Sequence, residues 1–328
     1  IEDRAKLLYI SSMVDGNKLK KLRIALSSYL QFCKYIKDYD IVHIHMAAQA
    51  SFTRKSFFVE KAYSCGKKII IHQHAADFDD YYFKQCNDAK RKKIKTIFGM
   101  ADKVIVLSEE WKEFFGKNIC DPNKIEIFHN GVTIPDYKKI NYSDHNVLFL
   151  GRLGKRKGTY DLIESAKNVI KEIPDAQFYL GGDGEIEKCK SIVKDYGLTN
   201  NFHFVGWIRN GEKIRYLEKC SIFILPSYHE GMPMSVLEAM SYGLATISTN
   251  VGGIPQVIEN GVNGLIVEPG DTKKMAKELV DLMLNPLLKR KYGIKARVQI
   301  IDKFNMRFNL DKLIDMYYQL ITDMEKMQ

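Results

Sequence analysis

Two glutamates with seven residues between them, Glu230 and Glu238, stand in the stretch SIFILPSYHEGMPMSVLEAMSYG, residues 221–243. Its apolar run Ile222-Phe223-Ile224-Leu225 has the length of a buried strand. Pro226 and Ser227 end that run, and a polar loop carries Glu230 towards Pro233. Pro233 opens a helix, where its missing N–H costs nothing, and Val236, Leu237 and Met240 form the buried stripe. Met232 has no acceptor to offer the first turn, so the N–H groups there are available to an anion such as a diphosphate. Gly231 lets a ligand approach the backbone closely. At ~1.5 Å rise per residue, Glu238 lies about 7 Å along the axis from Pro233. Carboxylates so spaced can hold two ends of one ligand. The plain alternative is a pair of solvated glutamates.

A second constellation follows the run Val147–Leu150. Gly151-Arg152-Leu153-Gly154-Lys155-Arg156-Lys157-Gly158 combines glycines for a tight turn with cations for phosphate. Gly181-Gly182-Asp183-Gly184-Glu185 reads first as a structural turn, and Lys155 and Arg156 as solvent-exposed. Histidines come in pairs two apart, His43/His45 and His72/His74, each pair closing an apolar run. That spacing puts both members on one side of a strand. A histidine in such a run is usually structural, so at least two of the four are expected in the core. Asp77-Phe78-Asp79 has carboxylates spaced to hold a hard cation, but it follows His74 in what reads as a different architecture, and no metal site is assigned. No Walker motif and no Gly-x-Ser-x-Gly elbow occurs.

The run PSxxEGxPxxxLEAMxxG, with its Glu-x7-Glu pair, resembles the signature of family 4 retaining glycosyltransferases of the two-Rossmann-domain (GT-B) type. GRLxxxKG at 151–158 fits the same family, and the likeness spans nearly the whole chain. It implies two doubly wound α/β domains facing a central cleft, at 1–140 and 141–305, with the helix 306–328 crossing back to the first. It implies a sugar transferred from a nucleotide sugar, UDP- or GDP-linked, to a glycan or lipid-linked acceptor in surface polysaccharide assembly. It implies neither a cofactor nor a metal. Arg152 and Lys157 would contact the donor diphosphate beside Gly151. Glu238 would bind the ribose, and Glu230 would face the sugar with the backbone of Gly231, Met232, Pro233 and Met234. Trp207 and Ile208 would lie near the base. His74 would reach the anomeric centre, His72 being the alternative. Asn130-Gly131 would shape the hinge. The family pattern has a further strand and a glycine-rich loop ahead of the first strand read here, and the chain is expected to start after them. Rival readings are a nucleotide-sugar epimerase or hydrolase on this fold and a non-catalytic partner subunit.

The elements needed to position these residues are legible. Strands are expected at 7–12, 40–45, 67–73, 101–107 and 124–128, and again at 147–150, 177–180, 202–205, 222–225, 245–248 and 265–267. Helices alternate with them, so both sheets should be mostly parallel. In the first helix, 18–37, Leu19, Leu22, Leu26, Tyr29, Leu30 and Cys33 read as inward. In the last, Leu310, Leu313, Ile314, Tyr317 and Leu320 do. Residues 133–145 read as a linker.

The chain has 328 residues, room for two domains, and no apolar run approaches a membrane span. Its six cysteines are scattered, which argues against a zinc or disulfide framework and fits the cytosol. Of the net charge of +10, residues 1–145 carry the larger part, 25 Lys/Arg against 18 Asp/Glu. An anionic membrane surface, nucleic acid or an anionic substrate could account for that excess, the plain alternative being a solvated helix face, and peripheral contact with an anionic membrane is the expectation kept. No nucleic-acid partner is expected, since the basic residues lack interleaved aromatics in a recognisable module.

Overall fold

A computed structural model describes residues 5–14, 16–75, 77–136 and 140–325. Residues up to His129 and those from Asn309 form one compact unit, and Asn130–Phe308 the other.

In the first unit α1 (Lys18–Tyr35), β1 (Ile41–Met46), α2 (Gln49–Ser64), β2 (Lys68–Gln73), α3 (Phe78–Asp80), α4 (Asp88–Gly99), β3 (Lys103–Val106), α5 (Glu109–Asn118) and β4 (Ile125–Ile127) follow in order. The four strands are parallel, in the order β1-β2-β3-β4. Their residues alternate between two faces. Ile69, Ile71, Val104 and Val106 enter the larger core, while Ile70 and Ile105 join Phe128, Met316 and Leu320 on the other side. The last two come from the C-terminal helix, which therefore covers the second face of this sheet. Ser108 accepts from the Trp111 N–H and caps α5, as its position before Glu109 predicts.

In the second unit β5 (Asn146–Leu150), α6 (Thr159–Glu172), β6 (Gln177–Gly181), α7 (Ile186–Asp195), β7 (Phe202–Gly206), α8 (Asn210–Lys219), β8 (Ile222–Leu225), α9 (Met234–Tyr242), β9 (Ala245–Thr249), α10 (Ile254–Val257), β10 (Leu265–Val267), α11 (Thr272–Leu284) and α12 (Pro286–Lys303) alternate. The helix α13 (Met306–Glu325) belongs to the first unit from Asn309 onward. The parallel sheet runs β10-β9-β8-β5-β6-β7. Every residue of β8 and β9 is buried, which is why these strands read as continuous apolar or small-residue runs rather than alternations. The stretch read as a linker packs on this unit at both ends. Arg297 donates to the Pro135 carbonyl and Tyr142 to the Gly243 carbonyl.

Two expectations fail. Residues 7–12 form no strand. Leu7, Leu8 and Tyr9 are exposed and pair with nothing in the sheet, so their β-propensity finds no ladder. The helix α1 forms, and Tyr29 of the expected inward set does pack on the core, but the leucines do not. Leu19, Leu22, Leu26 and Leu30 are exposed, whereas Ser28 and Phe32 are buried. The aromatic face wins. Tyr29 and Phe32 pack on Phe58 of α2 with ring centroids 5.3 and 5.0 Å apart, and aromatic rings bury more area than the leucines would.

Candidate active site

Strand order decides where a ligand can sit in the second unit. The chain steps from β5 outward to β6 and β7, then returns to the other side of β5 with β8, β9 and β10. Ligands of open α/β sheets bind beyond the carboxyl ends of the strands at such a reversal. The loops leaving β5 and β8 are residues 151–158 and 226–233, the two stretches singled out by their chemistry.

These loops are stitched together. Gly158 has φ +67°, and a Cβ there would lie 1.9 Å from the Pro226 carbonyl oxygen, so only glycine lets the basic turn lie against the loop after β8. The Tyr228 N–H donates to the Arg156 carbonyl (2.9 Å), and Arg156 Nη1 donates to the His229 carbonyl (3.1 Å). Arg156 thus fastens the loops together through an exposed side chain. Lys157 Nζ donates to Glu230 Oε1 at 2.5 Å, and Ser227 Oγ donates to the same oxygen at 2.6 Å. Glu230 is only 6% exposed, so this is a buried ion pair with one further donor. A third loop closes on it from behind. Thr249 Oγ1 donates to the Ser227 carbonyl, the Gly253 N–H donates to the Gly231 carbonyl, and Gly252 at φ +55° leaves no room for a Cβ against the Glu230 carbonyl oxygen.

Glu238, one face round on α9, accepts from Lys213 Nζ of α8 at 2.6 Å. Gly231, Met232 and Pro233 are buried, Met234 is exposed, and Asn130 Nδ2 donates to the Met232 carbonyl. Pro233 flanks the first turn of α9 with ψ 119° instead of lying inside it. No side chain caps the first turn of α9 or of α6, whereas Asn17, Asn87, Ser108, Asp271 and Asn285 cap α1, α4, α5, α11 and α12. The N-termini of α2, α3, α7, α8 and α10 also lack a side-chain cap, but those of α6 and α9 lie at the reversal, where they offer N–H groups to an anion. Gly151 donates its N–H to the Gly181 carbonyl, and Arg152 is exposed, with its charge felt by Glu185. The Gly182–Gly184 turn is structural, since the Leu153 N–H donates to the Asp183 carbonyl. Trp207 is exposed with the Arg209 guanidinium 5.6 Å from its ring, beside buried Ile208.

His74 belongs to the other unit. Its backbone N–H donates to the Met46 carbonyl and to the side chain of Gln73. Register pairs His45 with His72, so all four histidines form a ladder of stacked rings on β1 and β2. His45 Nδ1 lies 2.7 Å from His74 Nε2, and His43 Nδ1 lies 2.6 Å from the Tyr317 hydroxyl. Burial first, and mutual repulsion second, lower His43 to about 3 and push His72 well down. His74 falls to about 4 through burial, His45 and Lys55. The ladder is neutral at neutral pH.

Sequence reasoning missed Ser227, Lys213, Gln73 and the Gly252-Gly253 turn. Only the glycine pair just after a strand carried a local signal. The cation at Lys213 reaches Glu238 from 25 residues away across two elements.

With this geometry in place, comparison with known proteins is direct. The family model described as "Glycosyl transferases group 1" matches residues 133–299, and that described as "Glycosyltransferase Family 4" matches 3–134. The chain is 27% identical to an Escherichia coli protein named UDP-Gal:alpha-D-GlcNAc-diphosphoundecaprenol alpha-1,3-galactosyltransferase, over 98% of this chain and 86% of that one. It is 26% identical to the capsular polysaccharide biosynthesis glycosyltransferase CapM of Staphylococcus aureus, over 69% and 63%. Among solved structures it superposes on sucrose-phosphate synthase from Thermosynechococcus elongatus with TM-score 0.77, at 20% identity, covering 94% of this chain and 81% of that one. Anabaena HepE in complex with UDP gives TM-score 0.76 at 16% identity, covering 94% and 85%.

Proposed function

The chain belongs to the group 1 glycosyl transferases, and on that premise we propose that it moves a hexosyl group from a uridine- or guanosine-diphosphate sugar to a hydroxyl of a glycan or lipid-linked glycan, with retention at the anomeric carbon and without a metal. The reading rests above all on one observation. The strand-order reversal of the second unit gathers Lys157, Glu230 and two uncapped helix N-termini in loops that are locked to each other. Lys157, Arg152 and the N–H groups of α6 and α9 would stabilise the charge that grows on the departing diphosphate, which is where fixed donors accelerate group transfer. Glu230 holds Lys157 in place. Glu238 would take the ribose hydroxyls once Lys213 yields one oxygen, and the base would lie by Trp207 and Ile208. His74, neutral at pH 7, would serve the sugar as a hydrogen-bond partner.

Nucleotide sugars should stabilise the second unit by about 2.7 kcal/mol at 100 times Kd, with no requirement for added Mg2+ or Mn2+. Glu238→Ala should keep the fold and lose most of the shift. Thermal scans against a panel of UDP and GDP sugars measure this. Silence from every donor and nucleotide would remove the proposal.

A lipid-linked acceptor fits the name of the Escherichia coli relative, which acts on a diphosphoundecaprenol-linked sugar. No helix among the described residues is long and apolar enough to cross a membrane. Contact with a membrane surface is instead carried by α1, whose exposed Leu19, Leu22, Leu26 and Leu30 run among exposed Lys18, Lys20 and Arg23. An apolar stripe between cations is what an anionic bilayer surface takes up. The protein should pellet with vesicles containing phosphatidylglycerol at low salt. Leu22→Glu/Leu26→Glu should stay in the supernatant with its circular dichroism unchanged. Equal pelleting of both proteins, or of neither, would end this assignment.

A further inference from the structure

We propose that His43, His45 and His72 form a binding site for a divalent ion of the zinc, cobalt or nickel class. The sequence supplies two His-x-His pairs, and the register of β1 on β2 sets them side by side at the carboxyl ends of adjacent parallel strands. One ring nitrogen from each of the three lies within 4.8 Å of the other two. His43 Nε2 and His72 Nδ1 are 3.3 Å apart. Two imidazole ligands of one tetrahedral ion, each about 2.0–2.1 Å from it, stand about 3.3 Å from each other. His45 offers the third nitrogen, within 4.8 Å of both, which leaves a fourth position for water or His74.

The donor set selects the class of ion. Three imidazoles and no carboxylate suit zinc, cobalt or nickel, and offer calcium or magnesium none of the oxygens those ions require. One supporting group is also in place. His43 Nδ1 meets the Tyr317 hydroxyl at 2.6 Å, so its Nε2 is the nitrogen turned inward. A ligating imidazole holds its other N–H on a partner of this kind, and losing that partner weakens binding. His72 Nε2 is buried without a protein partner, so this ligand lacks the outer support that Tyr317 gives His43, and the site is weaker for it. Lys55 donates to the His45 carbonyl and opposes a second cation. The affinity should therefore fall below that of a structural zinc site.

Binding itself is independent of the transferase reading. An effect on transfer rests on that reading: His45 Nδ1 hydrogen-bonds His74, so an ion on His45 would reset the residue proposed to serve the sugar. Titration of the EDTA-stripped, dialysed protein with Zn2+ against a chromophoric chelator should give one ion per chain. Co2+ in its place should show visible d–d bands without the near-ultraviolet thiolate bands that ligation by the six cysteines would bring. Tyr317→Phe, which removes no ligand, should weaken Zn2+ by about 10–100-fold. His45→Asn, at an exposed position, should weaken it at least as much, with the fold checked by circular dichroism. Absence of stoichiometric binding, thiolate bands, or full affinity in both variants would overturn the site. Failure of the donor panel above, with Zn2+ still bound, would overturn the functional reading and leave the metal site standing.

Discussion

Lys157→Met should cost the Asn130–Phe308 unit about 3–5 kcal/mol, because it strands the Glu230 carboxylate in a site 6% exposed. It should also slow sugar transfer by at least ~100-fold, the usual loss when one charge-stabilising donor leaves a transfer site. These effects separate in the double variant. Lys157→Met/Glu230→Gln removes both charges while Ser227 Oγ still has an oxygen to donate to, so stability should return nearly to that of the parent. Turnover should not return, since nothing replaces the ammonium beside the diphosphate. Glu230→Gln alone leaves the Lys157 ammonium, 13% exposed, without its partner, so it too should destabilise, and it should raise KM less than it lowers kcat because Lys157 stays present but unanchored. Denaturant melts and steady-state rates on the four proteins complete a double-mutant cycle. If turnover recovered in step with stability, Lys157 would be a structural cation and the proposed chemistry would lose its main participant.

The locations of Lys157 and Glu230 were legible in the sequence because each lies in a loop whose flanking strand is a solid apolar run. Fully buried parallel strands leave that signature, and their order in the chain fixes which loops can meet. What joins the loops was not legible. Ser227 looked like a strand terminator, Arg156 like a solvated cation, and Lys213 belonged to a helix with no marked residue. Their partners lie 3, 73 and 25 residues away, so only the folded sheet brings them together. The histidines illustrate the same limit. A spacing of two gives the side of the strand, but the pairing of His45 with His72 depends on register, which no local pattern encodes. On α1 the leucines gave a clean helical period and the wrong face. Two stripes competed, and the winner was set by Phe58 on a neighbouring helix.

Register also governs the second large effect, on stability in acid. The four histidines titrate near 6.5 in an unfolded chain. In the ladder His43 is held at about 3 and His72 lower still, chiefly by burial, and His45 and His74 are lowered too. A folded value below the unfolded one means that the unfolded chain binds more protons as pH falls. The stability is therefore whole above about pH 6.5 and drains away towards the folded values. Each inner histidine has a limiting slope of ~1.4 kcal/mol per pH unit, and two partly solvated ones together should give about 2. The first unit should therefore lose stability progressively as pH falls below about 6.5 and unfold before the second. The second unit has no such ladder. Its Asp144 is raised by burial and so gains in acid instead of losing, which opposes the milder effect of lowered His203. The two tryptophans report separately, Trp111 buried in the first unit and Trp207 exposed in the second. In EDTA, to keep the ladder free of ions, a Trp207→Phe variant should lose its native fluorescence at a higher pH than a Trp111→Phe variant. His43→Gln should flatten the earlier transition by about one proton. Coincident transitions in the two single-tryptophan proteins, or an unchanged slope in His43→Gln, would mean that the ladder is not what fails first in acid.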